Sequence, residues 1–339
     1  MTRFKALLVG LGQIGSGYDA DLPFVLDQSR SSARTLTHAR ALACHPGFSL
    51  VAGIDPSTEA RERFSQLYGV PAYTDLSNWF ALSPDSSPDL VVIAVSPQLQ
   101  AALVANLLDL TQPRLLLLEK PYASCLQHAE ALQQICDKHP DVSVAVNYIR
   151  RWLPAVQSLR RRIEVGEFGR LLHGYLTYGK GLLSNGSHFV NLAEAWLGPL
   201  ALVRVTDRGR PCLGFDRETS LDLLAKYHDQ APLYVRSIGA AGLRSGELDL
   251  WFERGRICWP DHGRAIAFWP RCQTANGGTH ATLSSDPEFY PTGLDHYQLE
   301  VVESLHRYLN DPIAFPLLCE RADALRTLQI LAPAIADDC

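Results

Sequence analysis

Three glycines near the N-terminus are spaced so that the backbone between them can bind phosphate groups. Gly10, Gly12 and Gly15 form a GxGxxG motif directly after a short apolar stretch. The first glycine allows a tight turn, the second lets a pyrophosphate approach, and the third lets the next helix pack on the strand and offer its N-terminal N–H groups. Because the motif opens a strand–helix–strand unit, it predicts a dinucleotide site that includes Gln13 and Ile14.

An aspartate after the second apolar stretch favours one dinucleotide over another. Asp55 follows Phe48–Ile54, where a carboxylate accepts hydrogen bonds from both ribose hydroxyls and repels a 2′-phosphate, so NAD is expected rather than NADP. Asp55 stands 40 residues after Gly15, against roughly 20 in the usual motif. A polar insertion at Ser16–Arg34 accounts for the excess, and it either covers the cofactor or forms a mobile surface loop. Asp55 could also be the N-cap of the helix after Pro56.

A lysine after the fourth apolar stretch is the first candidate for proton transfer. Lys120 lies in the sequence Glu119-Lys120-Pro121, and ligands of open α/β sheets bind at the carboxyl ends of strands. A lysine is costly at such a position unless it has a role or a partner, and Glu119 could be only its salt-bridge partner. Glu119 and Lys120 are also candidate cofactor contacts, together with Ser96 and Pro97 after the third stretch.

A histidine in a glycine-containing segment is the second candidate. His188 lies within Asn185–Asn191, and an imidazole with a reference pKa near 6.5 can exchange a proton at neutral pH. A lone histidine is more often structural, so that alternative stays open. The other ten histidines show no spacing typical of metal ligands, and no metal is expected.

The scaffold for these candidates follows from the hydrophobic pattern. Up to residue 150, short apolar stretches bounded by turn signals predict strands that are buried on both faces. Helices between them predict right-handed crossovers and a parallel sheet. The strands are predicted at Phe4–Val9, Phe48–Ile54, Leu90–Val95, Leu115–Leu118 and Val142–Val146. The helices are predicted at Thr35–Ala43, at Thr58–Tyr68 before Gly69, at Gln98–Leu110, and from Ser124, which would form a capping box with Gln127.

The pattern changes after residue 150. Short runs of alternating apolar and polar residues between positions 200 and 283 predict a largely antiparallel sheet with one buried face. The expected fold is therefore α/β, with an N-terminal Rossmann domain at residues 1–148. An α+β domain on a large open sheet would follow at 149–316, and a C-terminal helix at 317–339.

Composition excludes several classes of protein. The formal net charge is −5, which argues against a nucleic-acid partner, because such proteins usually carry a strongly basic face. The apolar runs fall far short of the roughly 20 residues that a membrane helix requires. Eight cysteines include no CxxC pair, so zinc is not expected and the thiols are interpreted as reduced. With no signal peptide recognised, these features predict a cytoplasmic location.

Together these residues resemble the Gfo/Idh/MocA family, the superfamily of glucose–fructose oxidoreductase and inositol dehydrogenase. The resemblance spans most of the chain, and its most specific part is Glu119-Lys120-Pro121 at the end of a strand. The matching pieces are the glycine motif, the strand ending at Asp55, Glu119-Lys120-Pro121, Asn147-Tyr148 with Arg150, the 166–170 turn, and Gly186 with His188.

The resemblance implies hydride transfer between NAD and a sugar, nucleotide-sugar or cyclitol carbon. Lys120 would contact the cofactor ribose and the reacting hydroxyl, and His188 would exchange the substrate proton. The open sheet would support a homodimer or homotetramer. The candidate substrate contacts are Asn147, Tyr148, Arg150, Lys180, Asn185 and Asn191. Arg150 and Arg151 could hold a phosphate or carboxylate of the substrate, or only pair with surface carboxylates.

Two departures from the family pattern lie beside His188. The family commonly has aspartates where Ser184 and Asn191 stand. The loss of their negative charge would weaken the stabilisation of a protonated His188 imidazole, and so its strength as a base. The Asn-Gly-Ser-His form is similar to members in surface-polysaccharide or nucleotide-sugar metabolism, so the change could mark a subgroup. The alternatives are a regulatory protein that senses a dinucleotide or sugar without turnover, or a reductase of an imine or another small carbonyl compound.

Overall fold

The computed structural model describes residues 3–24, 34–83, 87–207, 220–227, 231–239, 246–260, 263–273 and 280–334. The chain divides into two compact units. The first comprises Met1–Trp152 and Asp295–Leu325, and the second comprises Leu153–Leu294 and Arg326–Asp338.

The first unit is built on a parallel sheet that contains six strands within the described residues. They are β1 (Phe4–Val9), β2 (Phe48–Ile54), β3 (Ala72–Tyr73), β4 (Leu90–Ile93), β5 (Leu115–Leu118) and β6 (Ser143–Val146). Their order is β3-β2-β1-β4-β5-β6, which is the order of a dinucleotide-binding Rossmann sheet. β1, β4 and β5 are buried almost throughout, as expected for strands covered by helices on both faces.

Five helices of the described residues accompany this sheet, and three of them begin at a side chain that caps the helix. They are α1 (His38–Cys44), α2 (Thr58–Tyr68), α3 (Leu76–Leu82), α4 (Pro97–Leu110) and α5 (Leu126–Asp137). Thr37, Ser57 and Asp75 each accept a backbone N–H at the N-terminus of a helix. Gly69 ends α2 with φ of +66°, the left-handed conformation that glycine adopts without strain.

The second unit contains α6 (Pro154–Glu164), α7 (Ser187–Leu197) and a large sheet. Its strands in the described residues are β7 (Leu171–Tyr178), β8 (Leu200–Asp207), β9 (Asp222–Tyr227), β10 (Ala231–Ser237), β11 (Gly246–Phe252), β12 (Gly255–Trp259), β13 (Ala265–Gln273), β14 (Ala281–Leu283) and β15 (Glu288–Pro291). The order is β14-β13-β12-β11-β7-β10-β9-β8, and β15 pairs with β13. Every pairing is antiparallel except that of β7 with β10. The expected fold class is confirmed.

Two further helices follow the sheet in sequence. α8 (Tyr297–Asn310) belongs to the first unit, and α9 (Arg321–Leu331) contains the point at which the chain passes from the first unit to the second. None of the helices in the described ranges combines the length and the hydropathy needed to cross a membrane.

Local structure differs from the sequence prediction at two helix starts. After the glycine motif the chain forms a five-residue π-helical turn, Gln13–Gly17, and α1 begins at His38, three residues after the predicted start of the helix Thr35–Ala43. The capping box predicted from Ser124 is wrong, because α5 begins at Leu126 without a side-chain cap. The hydroxyl of Ser124 lies 2.7 Å from His128 Nδ1 instead.

The cysteines are not all reduced thiols. Cys125 is disulfide-bonded, so the prediction of reduced cysteines is wrong at this position. Five other described cysteines are thiols and not disulfide-bonded: Cys44, Cys136, Cys258, Cys272 and Cys319.

Candidate functional site

The carboxyl edge of the parallel sheet collects the predicted cofactor residues of the first unit. The strands run in the same direction, so the residues that follow each strand meet at one edge. Gly10 follows β1, Asp55 follows β2, Ser96 begins the turn into α4, Glu119 follows β5 and Asn147 follows β6. The structure therefore places these five positions at one edge of the sheet; four of them are predicted cofactor contacts, and Asn147 is a predicted substrate contact.

The glycine loop is shaped by two glycines that the protein needs for its own folding. Gly10 has φ of +93°, and a Cβ there would lie 2.4 Å from the carbonyl oxygen of Ala94. A Cβ on Gly15 would lie 2.0 Å from the carbonyl oxygen of Gly10. Both contacts are far shorter than real Cβ atoms allow, so the loop requires glycine at these positions.

Gly12 has a different reason to be a glycine. Its φ of −67° suits any residue, and a Cβ built there meets no atom of the described residues within 4 Å. Neither the backbone conformation nor the described surroundings require glycine, which leaves an open space against the backbone. Such a space fits the close approach of a pyrophosphate to this position in dinucleotide-binding loops.

Asp55 is tied to the glycine loop. Its Oδ2 accepts the backbone N–H of Leu11 at 2.7 Å, and its Oδ1 accepts that of Ser57 at 2.8 Å. The carbonyl of Leu11 accepts a hydrogen bond from Arg63 at 2.8 Å. Asp55 is not the N-cap of α2, because Ser57 occupies that position. Each carboxylate oxygen retains a second lone pair for a ribose hydroxyl.

Glu119 lies in a buried network of polar side chains. Its Oε1 is 2.7 Å from His38 Nε2 and accepts the amide of Asn147 at 2.7 Å. Its Oε2 accepts the backbone N–H of Lys120 at 3.3 Å. The amide of Gln100 donates to the carbonyl of Glu119 at 2.8 Å. Glu119 thus contacts the backbone of Lys120 and has partners from elsewhere in the unit.

The two arginines after β6 have different surroundings. Arg151 is buried and lies 3.4 Å from the carboxylate of Asp323, an ion pair inside the first unit. Burial lowers the pKa of Arg150 to about 10, because desolvation disfavours the charged guanidinium. Tyr148, beside it, is 2% exposed.

The second unit places His188 at the start of α7. This helix is almost wholly buried, and His188 is 7% exposed. The preceding segment is held by hydrogen bonds: the amide of Asn185 donates to the carbonyl of Gly179 at 3.0 Å, and the hydroxyl of Ser187 to that of Leu183 at 2.6 Å. Lys180 has φ of +58°, which is uncommon for a residue with a side chain, and such backbone conformations cluster at active sites and ligand-binding segments.

Asn191 belongs to a second buried network. Its amide donates to the hydroxyl of Thr327 at 3.0 Å, and that hydroxyl donates to Glu194 at 2.7 Å. Asn191 and Thr327 are fully buried, and Glu194 is 8% exposed. A carboxylate is therefore present on α7 six residues after His188, although the family's usual aspartate is replaced by Asn191.

One group of possible metal ligands comes together in the described residues. Ligand atoms of His45, Glu303 and His306 lie within 4.8 Å of one another. However, the N–H of Gly47 donates to His45 Nδ1, so Nε2 carries the proton and donates to Glu303 at 2.9 Å. Arg307 also pairs with Glu303 at 2.6 Å. Because a metal needs the lone pair of a ring nitrogen, this arrangement is better described as a hydrogen-bonded pair.

In sequence, residues 4–148 match the model of an oxidoreductase family with an NAD-binding Rossmann fold, Gfo/Idh/MocA. The match covers the N-terminal parallel sheet and its helices. The resemblance read from the sequence is confirmed, and so is the expectation of a dehydrogenase or reductase.

Solved structures share the fold of the Gfo/Idh/MocA domain and of the rest of the chain. The WlbA dehydrogenase from Bordetella pertussis, in complex with NADH and UDP-GlcNAcA, is 18% identical with a TM-score of 0.73, covering 98% of this chain and 95% of that one. An inositol dehydrogenase homolog from Azotobacter vinelandii, complexed with NADH and myo-inositol, is 17% identical with a TM-score of 0.75, covering 98% and 94%. KijD10, a 3-ketoreductase from Actinomadura kijaniata in complex with NADP, is 15% identical with a TM-score of 0.70, covering 98% and 97%.

At these identities the similarity establishes the fold. Among curated proteins compared by sequence, none matches significantly.

Several side chains of these networks are not signalled by the sequence. His38, Gln100 and Gln298 contribute to the surroundings of Glu119, and Thr327 and Glu194 to those of Asn191. The spacing of these residues matches no motif, because they meet only through the tertiary fold. The sequence around a single histidine or glutamine does not indicate which distant residue its side chain will contact.

Proposed function

We propose that the protein is an NAD(H)-dependent oxidoreductase that transfers a hydride to or from a hydroxyl-bearing carbon of a sugar, nucleotide sugar or cyclitol. One observation carries the proposal: Lys120 follows β5 at the same sheet edge as the open glycine loop and Asp55. A cation capable of proton transfer thus lies on the edge where this fold binds dinucleotides.

The glycine loop and Asp55 are the proposed cofactor site. The space against Gly12 accommodates the pyrophosphate, and the carboxylate of Asp55 accepts the ribose hydroxyls. A 2′-phosphate beside this carboxylate is disfavoured by like charge, which favours NAD over NADP. When bound, the nicotinamide supplies the hydride acceptor or donor.

Lys120 and His188 are the proposed proton-transfer groups. In the oxidative direction His188 takes the proton of the substrate hydroxyl as a base, assisted by Lys120. The ammonium of Lys120 donates to the substrate oxygen and stabilises the negative charge that develops on it. In the reductive direction the same groups return the proton. Asn185 and Lys180, from the segment before His188, are proposed substrate contacts, together with Tyr148.

An anionic group on the substrate is favoured by Arg150. Arg150 lies just after β6, and its planar guanidinium presents a fork of donors that matches a carboxylate or a phosphate. UDP-GlcNAcA, the compound bound to the WlbA dehydrogenase, contains both groups. A nucleotide sugar or a sugar acid is therefore the first class to test.

The decisive experiment is a panel of sugars, sugar acids, nucleotide sugars and cyclitols, monitored by nicotinamide absorbance at 340 nm with NAD and with NADH. Turnover of one class is expected, with Lys120→Met and His188→Ala each lowering kcat by about a hundredfold or more. NADH fluorescence titration serves as the control, since both variants should still bind the cofactor. Cofactor binding without turnover of any compound would favour the sensor alternative, to which the replacement of an aspartate by Asn191 also points. Full turnover in both variants would contradict the assigned roles.

The assembly and location of the protein remain predictions. A homodimer or homotetramer is proposed from the open sheet of the second unit, where the rings of Tyr175 and Tyr234 stack at 5.2 Å and are 43% and 38% exposed. Sedimentation of the purified protein tests it. A cytoplasmic location is proposed from the sequence features alone.

A further inference from the structure

Glu119 and His38 form a buried pair that directly precedes Lys120. The two side chains are 9% and 1% exposed, and His38 Nε2 lies 2.7 Å from Glu119 Oε1. The same carboxylate accepts the backbone N–H of Lys120 through its other oxygen. The Glu119 carboxylate therefore links the side chain of His38 to the backbone N–H of Lys120.

His38 is itself fixed by the segment that follows the glycine loop. The carboxylate of Asp19 is fully buried and accepts the N–H of Leu36, the N–H of Thr37 and the hydroxyl of Thr37, at 2.7, 3.0 and 2.7 Å. Arg40 binds the carbonyl of Asp19 at 2.6 Å. The first turn of α1, which carries His38, is thus held by the described beginning of the inserted segment.

The network around Glu119 is not arranged for stability alone. Within the described part of the chain, His38 Nδ1, Asn147 Oδ1 and Gln100 Oε1 are buried and make no hydrogen bond. Each unsatisfied buried polar atom costs about 1–3 kcal/mol. A cluster selected only to stabilise the fold would satisfy these atoms or replace them with apolar groups. What all three side chains do make is a hydrogen bond to Glu119, at its carboxylate or its carbonyl.

From these contacts we propose that His38 is a positioning residue for Lys120. It holds the Glu119 carboxylate in the orientation that binds the Lys120 backbone N–H, and so restricts the lysine to the sheet edge. The inference rests on the proposed role of Lys120. It assigns a function to a side chain from α1, outside the motifs that carry the family resemblance.

A matched control exists on the same helix. His45 follows α1 directly and forms an equivalent pair with Glu303, with Nε2 2.9 Å from Oε2, and it is 8% exposed. His45→Leu therefore removes a histidine–glutamate pair without touching Glu119, although Glu303 is 41% exposed and Glu119 only 9%. Any effect of His38→Leu that His45→Leu shares reflects only the loss of such a pair.

The first test measures Lys120 itself and needs neither substrate nor cofactor. Reductive methylation followed by peptide mass spectrometry gives the labelling rate of the Lys120 amine in each variant. His38→Leu should raise this rate at least threefold, because the backbone of the lysine loses its restraint. His38→Gln retains an N–H donor to Glu119 and should stay within twofold of wild type, as should His45→Leu. An unchanged rate in His38→Leu, or an equal rise in His45→Leu, overturns the proposal.

The second test separates positioning from folding. On a substrate found by the panel, His38→Leu should lower kcat at least tenfold with KM changed less than threefold, and His38→Gln should restore most of kcat. If His38→Leu does not fold, His38→Asn replaces it, since its shorter amide falls short of Glu119. If the panel finds no substrate, the labelling rates still decide the role of His38, so failure of the proposed function and failure of this inference are distinguishable.

Discussion

The backbone N–H of Leu11 donates to the carboxylate of Asp55, with 2.7 Å between the nitrogen and Oδ2. This contact joins the loop after β1 to the end of β2, which are 44 residues apart in the sequence. It gives Asp55 a second task besides the proposed binding of ribose, because it orients the peptide between two glycines of the motif. Substitutions of Asp55 should therefore affect both the cofactor and the loop.

Asp55→Ala should weaken NAD binding by at least tenfold, which corresponds to about 1.4 kcal/mol. The variant loses the acceptors for the ribose and releases the N–H of Leu11. NADH fluorescence titration measures the change. Asp75→Ala is the control, since Asp75 caps α3 by accepting the N–H of Asn78 at 2.8 Å and serves no cofactor contact in the proposal. An unchanged NAD affinity in Asp55→Ala would show that the ribose assignment is wrong.

The choice between the two dinucleotides should also depend on the charge of Asp55. Asp55→Ser keeps a hydroxyl near the ribose but removes the negative charge that opposes a 2′-phosphate. The ratio of the Kd for NADP to the Kd for NAD should fall at least tenfold relative to wild type. Parallel titrations at low and high salt provide the check, because an electrostatic preference weakens as the ionic strength rises. If the ratio of the two Kd values does not change in Asp55→Ser, residues other than Asp55 discriminate between NAD and NADP.

Where a segment carries its own signal, the sequence predicted the structure closely. The strands Phe4–Val9 and Leu115–Leu118 and the helix Thr58–Tyr68 have the predicted bounds. Their apolar runs end at clear turn residues, and Gly69 supplies the left-handed conformation that ends the helix. Two short elements, β3 (Ala72–Tyr73) and α3 (Leu76–Leu82), were not predicted, since they are too short to show a period.

Contacts between distant segments could not be predicted from one sequence. The motif lysine and the glycine loop were found because their residue types and spacing are restricted by chemistry. His38 and Glu119 are 81 residues apart, and nothing local to either residue indicates the other. Local signals also fail where a better partner is near: Ser124 bonds to His128 rather than to the backbone that the capping box requires.

Removing the charge of Arg151 should lower the stability of the protein, whereas removing the charge of Arg150 should weaken substrate binding. Arg151→Met leaves Asp323 without this partner in a partly buried ion pair, and loss of one partner of a buried pair costs about 3–5 kcal/mol. Thermal or urea unfolding should show a marked loss of stability. Arg150→Met should instead raise the KM for an anionic substrate at least tenfold, with little change in stability. Equal effects of both variants on unfolding, with no effect of Arg150→Met on KM, would make both residues structural.

Gly12 and Gly15 separate the needs of the fold from the needs of the ligand within one motif. A methyl group on Gly15 would lie 2.0 Å from the carbonyl oxygen of Gly10, so Gly15→Ala should destabilise the protein by about 1–3 kcal/mol. A methyl group on Gly12 meets no atom within 4 Å in the part of the chain that the structure describes, and the φ of −67° suits alanine. The free energy of unfolding of Gly12→Ala should therefore lie within about 0.5 kcal/mol of the wild-type value.

The cofactor affinity of Gly12→Ala is the sharper measurement of this pair. If the open space beside Gly12 accommodates the pyrophosphate, the added methyl group must weaken NADH binding, and a decrease of at least tenfold is expected while the unfolding midpoint stays constant. Gly69→Ala is a suitable control: it disturbs a left-handed glycine at the end of α2, so it should lower stability without lowering affinity. Normal NADH binding by a stable Gly12→Ala variant would mean that the pyrophosphate does not lie against this residue, and the glycine loop would lose its proposed role.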